Sequence, residues 1–182
     1  MFKISSTEIE GLKIIEPKIH HDDRGFFFES FRQSEIDKIT EFKNIKFIQD
    51  NHSRSNKGVL RGLHYQLKKP QTKLIRVIKG KIFDVAVDIR KNSDTYGKWF
   101  GIELNDTNNL QLFIPKGFAH GYLTLSEYAE IVYKVSNYYD PSDERCIRWN
   151  DSLIKIDWDI KSPIISEKDL NGLSLENAEI FV

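Results

Sequence analysis

The chain has 182 residues and carries 27 Lys and Arg against 27 Asp and Glu, which gives a formal net charge of zero. A chain of this length is expected to form one domain, residues 1–182, that can bury a substantial core. The balanced charge argues against a general binder of nucleic acid or of anionic membranes, because either would need an excess of basic residues.

Two further features of the composition narrow the class of protein. The single cysteine, Cys146, excludes an intrachain disulfide framework and a cysteine-based zinc site. No long apolar run follows the first residues and no stretch reaches ~18 apolar residues, so neither a signal peptide nor a membrane span is expected. We therefore expect a soluble cytoplasmic protein with no membrane or nucleic-acid partner.

The first quarter of the chain predicts short elements. Leu12–Ile15 is predicted to be an edge strand, and His20–Gly25 a polar turn. The aromatic run Phe26–Phe31 favours a strand. Ser34–Phe42 is predicted to be a helix capped by its first residue, because Ile36 and Ile39 would form an apolar stripe on it. A further strand is predicted from Ile45 to Ile48.

The segment from Asn51 to Gln66 is the most distinctive. Within it, the stretch Gly58–Tyr65 is a short apolar strand with glycines around it, and it carries Arg61 and His64. Glycine permits the tight or left-handed backbone that redirects side chains in a strand. A bulged strand with an ordinary core histidine is the structural alternative. Arg61 weakens that alternative, because packing alone does not explain a fixed cation beside a buried base.

From residue 74 the pattern predicts one strand after another. Leu74–Ile78 and Ile82–Ile89 are predicted to form a hairpin that turns at Gly80. In the second of these strands the apolar residues share one face and the acidic residues the other, namely Phe83, Val85, Val87 and Ile89 against Asp84 and Asp88. Five more strands are predicted at Trp99–Leu104, Leu110–Ile114, Gly121–Leu125, Ala129–Val135 and Arg145–Trp149. Strands at roughly 8–12-residue spacing indicate an all-β sandwich or barrel.

The tail from Ser166 to Val182 is predicted to be helical. Ser166 would cap this helix. Its packing residues would be Leu170, Leu173 and Leu175.

One motif resembles the cupin superfamily. Pro115–Gly121, with His120 between two predicted strands, resembles the second cupin motif. The first cupin motif usually supplies further metal ligands, but here the residues are His64-Tyr-Gln66, followed by Lys73. Glutamine is a poor ligand and a nearby cation repels a metal. The resemblance therefore implies a cupin-type jelly-roll β-barrel with a few short peripheral helices and without a metal.

A second resemblance extends from about Gly11 to Asp169. The motifs that carry it, in order, are Asp23–Glu29, Gln49–Ser53, Gly58–Gln66, Phe83–Arg90, Ile114–Gly121, Tyr133-Lys with Tyr138–Pro141, and Trp149–Asp151. Together they resemble the dTDP-4-dehydrorhamnose 3,5-epimerase family. This resemblance implies epimerisation of C3 and C5 of dTDP-4-dehydro-6-deoxy-D-glucose, without a cofactor, by a homodimer. The active site is expected to borrow residues from the neighbouring subunit.

The resemblance also implies roles for individual residues. His64 would remove the proton alpha to the C4 ketone, Asp169 would orient His64, and Tyr133 would return a proton on the opposite ring face. Lys73 would lie near the C4 oxygen, and His120 would touch the substrate with Asp84 supporting it. The remaining nucleotide-sugar contacts would be Arg24, Glu29, Gln49, Asn51, Arg61, Glu144, Lys168 and, near the thymine, Tyr139.

Physical chemistry supports these roles without the resemblance. An enolate needs a stabilised oxygen, which a lysine in a dry barrel supplies, and inversion needs a base and an acid on opposite faces. A diphosphate needs fixed cations such as arginine. The residues alone leave structural alternatives open: Tyr133 as a core aromatic, Lys73 and Arg61 as solvated strand charges, and Asp169 as a first-turn carboxylate.

Three other functions remain as alternatives. A relative that inverts one centre, or that accepts another nucleotide sugar, would carry the same base and acid. A non-catalytic cupin that senses a nucleotide sugar would not need His64, Tyr133 and Lys73 together. Gln66 and Lys73 disfavour a metal-dependent cupin oxygenase.

Overall fold

The structure, a computed structural model, describes residues 2–39 and 44–182. Alternating apolar and polar residues, rich in Val, Ile, Phe and Tyr, favour strands over helices through most of the chain. The strands are β1 (Lys3–Ser6), β2 (Lys13–Glu16), β3 (His20–Asp22), β4 (Gly25–Phe27), β5 (Gln49–Asn56), β6 (Leu60–Gln66), β7 (Lys73–Lys79), β8 (Lys81–Asp88), β9 (Trp99–Asn105), β10 (Gln111–Ile114), β11 (Phe118–Thr124), β12 (Tyr128–Val135) and β13 (Glu144–Cys146). The helices are α1 (Gln33–Ile36) and α2 (Glu167–Leu170).

The described strands form two large sheets and one small hairpin. The six-stranded sheet has the order β1-β2-β10-β7-β12-β5, and the five-stranded sheet has the order β13-β6-β11-β8-β9. Strands β3 and β4 pair only with each other. Neighbouring strands in the described sheets are antiparallel, as they are in a jelly roll.

The main core lies between the two large sheets. It combines Ile75 and Ile131 of the six-stranded sheet with Ala86, Leu104 and Phe118 of the five-stranded sheet, all nearly inaccessible to solvent. Two sheets that bury their facing sides in this way are the sheet-on-sheet solution to packing amphipathic strands. The predicted all-β class with a few short helices is confirmed.

The outer face of the five-stranded sheet carries a second core. The predicted alternation in β8 is confirmed here, because Val85 and Val87 pack into this outer cluster together with the following Ile89. The chain after β13 covers the cluster with side chains that include Trp158 and Leu175. The odd-numbered residues of β8 therefore face away from the main core, and the even-numbered ones, Asp84 among them, face inward.

The predicted hairpin between residues 74 and 89 is wrong. Strand β7 pairs with β10 and β12 on its two sides, so no edge remains for β8. Strand β8 instead joins β9 and β11 in the other sheet. Gly80 adopts φ +78°, and the chain passes there from one sheet to the other. The glycine correctly indicated a turn between two consecutive strands, but it did not indicate which sheet each strand joins.

Several predicted bounds near the N-terminus also change. Strand β2 is not an edge strand, because β1 lies outside it. The predicted polar turn His20–Gly25 contains strand β3, and the aromatic strand ends at Phe27 rather than at Phe31. No strand covers Ile45–Ile48, and β5 begins only at Gln49. His120 lies inside β11 rather than between two strands.

Both helices are shorter than predicted. Helix α1 spans Gln33–Ile36 with Arg32 at its N-cap, so Ser34 lies inside the helix and does not cap it. The end of that predicted helix, residues 40–42, lies outside the described residues. Ser166 does cap α2, as predicted, but the helix ends at Leu170.

The predicted packing of the tail is only partly right. Leu170 and Leu173 are exposed, and only Leu175 is buried. Neither described helix has the length or the apolar character needed to span a bilayer.

Candidate active site

A cavity of about 310 Å³ opens between the two sheets, beside the main core. Strands β5, β7 and β12 supply one wall and strands β6, β11 and β13 the other. Its lining residues are Gln49, Asn51, Ser53, Arg61, His64, Gln71, Lys73, His120, Tyr122, Ile131, Tyr133, Tyr139 and Glu144. Most of them are polar or titratable, which is unusual for the inside of a sheet sandwich and indicates a functional site.

A bulge in β6 directs two of these side chains into the cavity. Arg61 and His64 are an odd number of residues apart, so strict alternation would send them to opposite faces. The pairing with β11 shifts between His120, opposite His64, and Tyr122, opposite Arg61, which places an extra residue in β6. Gly62 has φ +120°, and a Cβ there would lie 2.6 Å from the carbonyl oxygen of His120. Glycine at this position therefore allows both functional side chains to share one face.

His64 is held by a buried carboxylate. Its Nε2 lies 2.7 Å from Oδ1 of Asp169, and Gly62 N–H donates to the other oxygen at 3.1 Å. Burial opposes ionisation of Asp169, but the hydrogen bonds from His64, Gly62 and Ser166 outweigh it and lower the pKa of Asp169. An ionised Asp169 accepts the hydrogen on Nε2, which leaves the free lone pair on Nδ1 of His64. This arrangement prepares His64 to act as a base.

His120 forms a second pair opposite His64. Its Nε2 lies 2.8 Å from Oδ1 of Asp84, in surroundings more buried than those of His64. Burial lowers the pKa of His120, and the nearby Lys73 and His64 lower it further against the opposing effect of Asp84. His120 is therefore a neutral imidazole near pH 7, able to bind a substrate oxygen but poorly suited to remain protonated.

Lys73 places a buried cation in the cavity. Its Nζ lies 3.4 Å from the backbone oxygen of His64. Burial lowers the pKa of Lys73 to about 8, although Glu144 and Asp84 oppose that shift. Lys73 is therefore mainly charged at neutral pH, in a dry setting where its charge acts strongly on a nearby oxygen.

Tyr133 faces the cavity from the opposite sheet. Burial raises the pKa of Tyr133, and the neighbouring Tyr122 adds to the rise while Arg61 opposes it. Its hydroxyl is therefore protonated at neutral pH and can donate a proton. Arg61 Nε donates to Ser55 Oγ at 2.9 Å, and that oxygen lies 3.1 Å from the hydroxyl of Tyr122. This chain of contacts fixes the side chains around Tyr133.

The mouth of the cavity is built by a second polar network. The Tyr139 hydroxyl donates to Oε2 of Glu144 at 2.8 Å, and Lys168 donates to the same oxygen. The Tyr139 N–H donates to Oε1 of Gln49 at 3.0 Å, and Gln49 in turn donates to Asn51 at 2.9 Å. The network therefore ties β5, β13 and α2 together around one exposed aromatic ring.

Comparison with known proteins agrees with this geometry. A family model described as dTDP-4-dehydrorhamnose 3,5-epimerase matches residues 6–177. The chain belongs to the dTDP-4-dehydrorhamnose 3,5-epimerase family. The Shigella flexneri dTDP-4-dehydrorhamnose 3,5-epimerase is 51% identical over 180 residues, which cover 98% of this chain and 99% of the relative.

Two solved structures show the same fold. The dTDP-6-deoxy-D-glucose-3,5-epimerase from Legionella pneumophila, in complex with dTDP-4-keto-L-rhamnose, has a TM-score of 0.94 and 46% identity, covering 98% of this chain and 95% of that chain. A 3'-monoepimerase from Streptomyces bikiniensis, in complex with dTDP-quinovose, has a TM-score of 0.87 and 31% identity, covering 93% and 86%. This member of the epimerase family is therefore an isomerase.

The structure brings together most of the predicted site residues of this epimerase. Nine of them line the cavity directly: Gln49, Asn51, Arg61, His64, Lys73, His120, Tyr133, Tyr139 and Glu144. Asp84, Asp169 and Lys168 stand one layer behind, each bonded to a lining residue. Arg24 and Glu29 lie outside the cavity, where Arg24 pairs with Asp22 and Glu29 with Arg32.

Sequence reasoning missed four of the lining residues: Ser53, Gln71, Tyr122 and Ile131. Three of them had a usable signal, and one of these is Ile131, two residues before Tyr133 in β12. Tyr122 is two residues after His120 and Ser53 is two residues after Asn51, so the period of a strand places each pair on one face. Gln71 lies in the loop after Lys68, whose position the sequence did not indicate. Asp143 fixes the start of that loop by accepting hydrogen bonds from the backbone of Lys68.

Gln66 occupies a position at which the first cupin motif usually carries a metal ligand, and in this epimerase it has a structural task. Gln66 donates to the backbone oxygens of Lys69 and Tyr138 and accepts from the N–H of Asp140. Its amide therefore holds two loops together. Because Gln66 holds these loops and Lys73 faces the cavity, the described residues at this position do not form the usual cupin set of metal ligands.

Proposed function

We propose that this epimerase inverts C3 and C5 of dTDP-4-dehydro-6-deoxy-D-glucose by proton abstraction and reprotonation through an enolate, giving dTDP-4-dehydro-L-rhamnose. The observation that carries the proposal is the position of His64 and Tyr133, which face one cavity from opposite sheets. Inversion of a carbon centre requires a base on one face of the ring and an acid on the other.

Each step of this reaction has a suitable group in the cavity. His64, with its free lone pair on Nδ1, accepts the proton alpha to the C4 ketone, and Asp169 stabilises the imidazolium that results. Lys73 stabilises the negative charge that develops on the C4 oxygen, because a buried cation needs no reorganisation when that charge appears. Tyr133 then donates its hydroxyl proton to the opposite face of the carbon, and solvent restores both groups.

The remaining polar residues suit a nucleotide sugar. We assign Gln49, Asn51, Arg61 and His120 to the sugar and diphosphate, since they combine fixed donors with one permanent cation. We assign Tyr139, Glu144 and Lys168 to the nucleoside end, where Tyr139 is half exposed at the mouth and offers a stacking surface. No cofactor is needed in this scheme, because each proton moves between the substrate and a protein side chain.

We also propose a homodimer in which Arg24 and Glu29 reach the neighbour's cavity. The β3–β4 hairpin exposes Phe26 and Phe27, which are 62% and 69% accessible, and exposed aromatic pairs usually mark an interface. In light scattering we expect about twice the 21.3 kDa mass of the chain. A fully active monomer would contradict this assembly.

Since a diphosphate does not cross a bilayer unaided, we place the enzyme in the cytoplasm with its substrate.

A single-centre epimerase is the second candidate, favoured by the likeness to the Streptomyces bikiniensis 3'-monoepimerase. An NMR time course with dTDP-4-dehydro-6-deoxy-D-glucose in deuterated water separates the two. We expect deuterium at both C3 and C5, together with the L-lyxo product. Uptake at one carbon alone would instead assign the chain to the single-centre relatives, and uptake at neither carbon would contradict both proposals.

A further inference from the structure

Cys146 lies beside the His64–Asp169 pair. Cys146 and His64 are directly opposed in the antiparallel pairing of β13 with β6. Directly opposed residues place their side chains on the same face of a sheet, with Cβ atoms roughly 4.5–5.5 Å apart. Asp169 reaches the same place from α2. One ligand atom from each of His64, Cys146 and Asp169 lies within 4.8 Å of the other two.

This set of atoms has the chemistry of a zinc site with mixed ligands, which one cysteine can supply, unlike the sites of several cysteines that the sequence excludes. An imidazole nitrogen, a thiolate sulfur and a carboxylate oxygen are the ligands that zinc takes, at bond lengths of about 2.0–2.3 Å in a tetrahedral arrangement. Tetrahedral ligands at these lengths are on the order of 3.5 Å apart, so the three side chains need to move by only about an ångström. Lys73, whose Nζ lies 3.4 Å from the backbone oxygen of His64, would repel a bare cation. Two negative ligands, Cys146 as thiolate and Asp169, would neutralise the ion and so offset that repulsion.

The thiol has no other evident role. Burial raises the pKa of Cys146 to about 12, with Asp169 and Glu144 adding to the rise, so the free thiol is neutral and unreactive. A bound ion deprotonates a thiol that coordinates it. Ion binding therefore releases protons, and its affinity should increase with pH.

We propose that His64, Cys146 and Asp169 bind one zinc-class divalent ion and that the bound ion inhibits the epimerase. The inhibition rests on the proposed function, because an ion coordinated to the imidazole and to Asp169 prevents His64 from accepting the substrate proton. The metal is thus an inhibitor of this active site and not its cofactor. The site depends on Cys146, which lies beside His64, the residue that must be free to act as the base.

Cobalt(II) is the probe for binding, because its bond to a thiolate gives a charge-transfer absorption in the near ultraviolet. We expect one equivalent of cobalt to produce this band in the wild-type protein, no such band in Cys146→Ser, and an unchanged band in the control His20→Asn/His21→Asn. The control removes two exposed histidines that could bind metal on the surface. No band in the wild type, or an equal band in Cys146→Ser, would overturn the site.

Inhibition is measured separately, with free zinc set by a metal buffer because the substrate diphosphate also binds zinc. Without metal, Cys146→Ser should have wild-type activity, since Cys146 is outside the proposed catalytic set. We expect its inhibition constant for zinc to be at least about tenfold weaker than that of the wild type, and chelation to restore full activity to both. Equal inhibition of both proteins would overturn the inhibitory role. A cobalt band in a protein that shows no epimerase activity would support the site and refute the proposed function.

Discussion

The cavity contains two imidazole–carboxylate pairs that differ in their surroundings. The Nε2–Oδ1 distance is 2.7 Å between His64 and Asp169 and 2.8 Å between His120 and Asp84. The two histidines are opposite each other in the pairing of β6 with β11. The His64 side chain is 26% accessible, whereas that of His120 is 10% accessible. Equal geometry therefore does not imply equal chemistry.

The carboxylates explain the difference. Both oxygens of Asp169 accept a hydrogen bond, and its helix is capped by Ser166, so this carboxylate is ionised and fixed. Asp84 bonds only through Oδ1, and its buried Oδ2 has no partner among the described residues. A fully satisfied carboxylate can support a charged imidazolium during turnover. From this difference between the two pairs we propose that His64 transfers protons and that His120 positions the substrate.

The largest expected effect is at the accessible pair. His64→Ala should abolish deuterium uptake at both C3 and C5, because without the base the first proton transfer fails. We expect a loss on the order of 100-fold or more, the usual contribution of a positioned base. NMR of the sugar protons in deuterated water gives the rate, and circular dichroism verifies the fold. Uptake near the wild-type rate would transfer the role of base to another residue, with His120 the first to test.

Tyr133→Phe should separate exchange from inversion. His64 could still remove the proton and solvent could still return a deuteron on the same face, so uptake should persist. Formation of the L-lyxo product should decrease on the order of 100-fold. Scoring uptake and product in one NMR experiment provides the internal control. An equal loss of both would mean that Tyr133 acts before or during abstraction, or has only a structural role.

Two matched substitutions compare the pairs directly. Asp169→Asn should lower kcat by about tenfold or more, because an amide no longer stabilises the imidazolium and can favour the wrong tautomer of His64. Asp84→Asn makes the same chemical change in the pair to which we assign no proton transfer, and we expect less than about a tenfold loss of kcat. Steady-state kinetics on both variants are the measurement. A larger kcat loss in Asp84→Asn would reverse the assignment of the two pairs.

Much of this cavity followed from the sequence, since strand periodicity is a local property. The two faces of β8 could be read from its alternating residues, and the same alternation would have added Tyr122 to the site. The family resemblance then supplied roles that the residues alone left open, such as that of Asp169, which is more than a hundred positions from His64. Contact between residues so distant in sequence depends on the whole topology.

The errors have a common physical cause. The glycine turn at Gly80 was assigned to a hairpin because a local turn does not determine the sheet that the next strand joins. The predicted tail helix failed because three leucines do not outweigh the packing of that segment along the five-stranded sheet, where Leu173 forms a bridge with Ile147. Local patterns predicted strands and faces, whereas the pairing of strands depends on the rest of the chain.

The smallest effect near neutral pH is the titration of Lys73, whose Nζ lies 3.4 Å from the backbone oxygen of His64. Burial lowers its pKa to about 8, so the cation that we propose stabilises the enolate is present below that pH and lost above it. We expect kcat/KM to decline about tenfold for each pH unit well above 8, because kcat/KM reports the free enzyme. Lys73→Met should have a much lower activity that shows no such decline with pH. A wild-type profile that stays flat to high pH would contradict the proposed role of Lys73.

Stability should respond to pH in the opposite direction. The pKa of Lys73 is lowered from 10.5 to about 8 on folding, so between these values the unfolded chain binds more protons than the folded one. The contribution of Lys73 to the free energy of unfolding therefore rises with pH across this window. The wild type should gain thermal stability relative to Lys73→Met between pH 8 and 10 while it loses activity. A parallel loss of both would mean that unfolding, and not deprotonation of Lys73, ends the reaction at high pH.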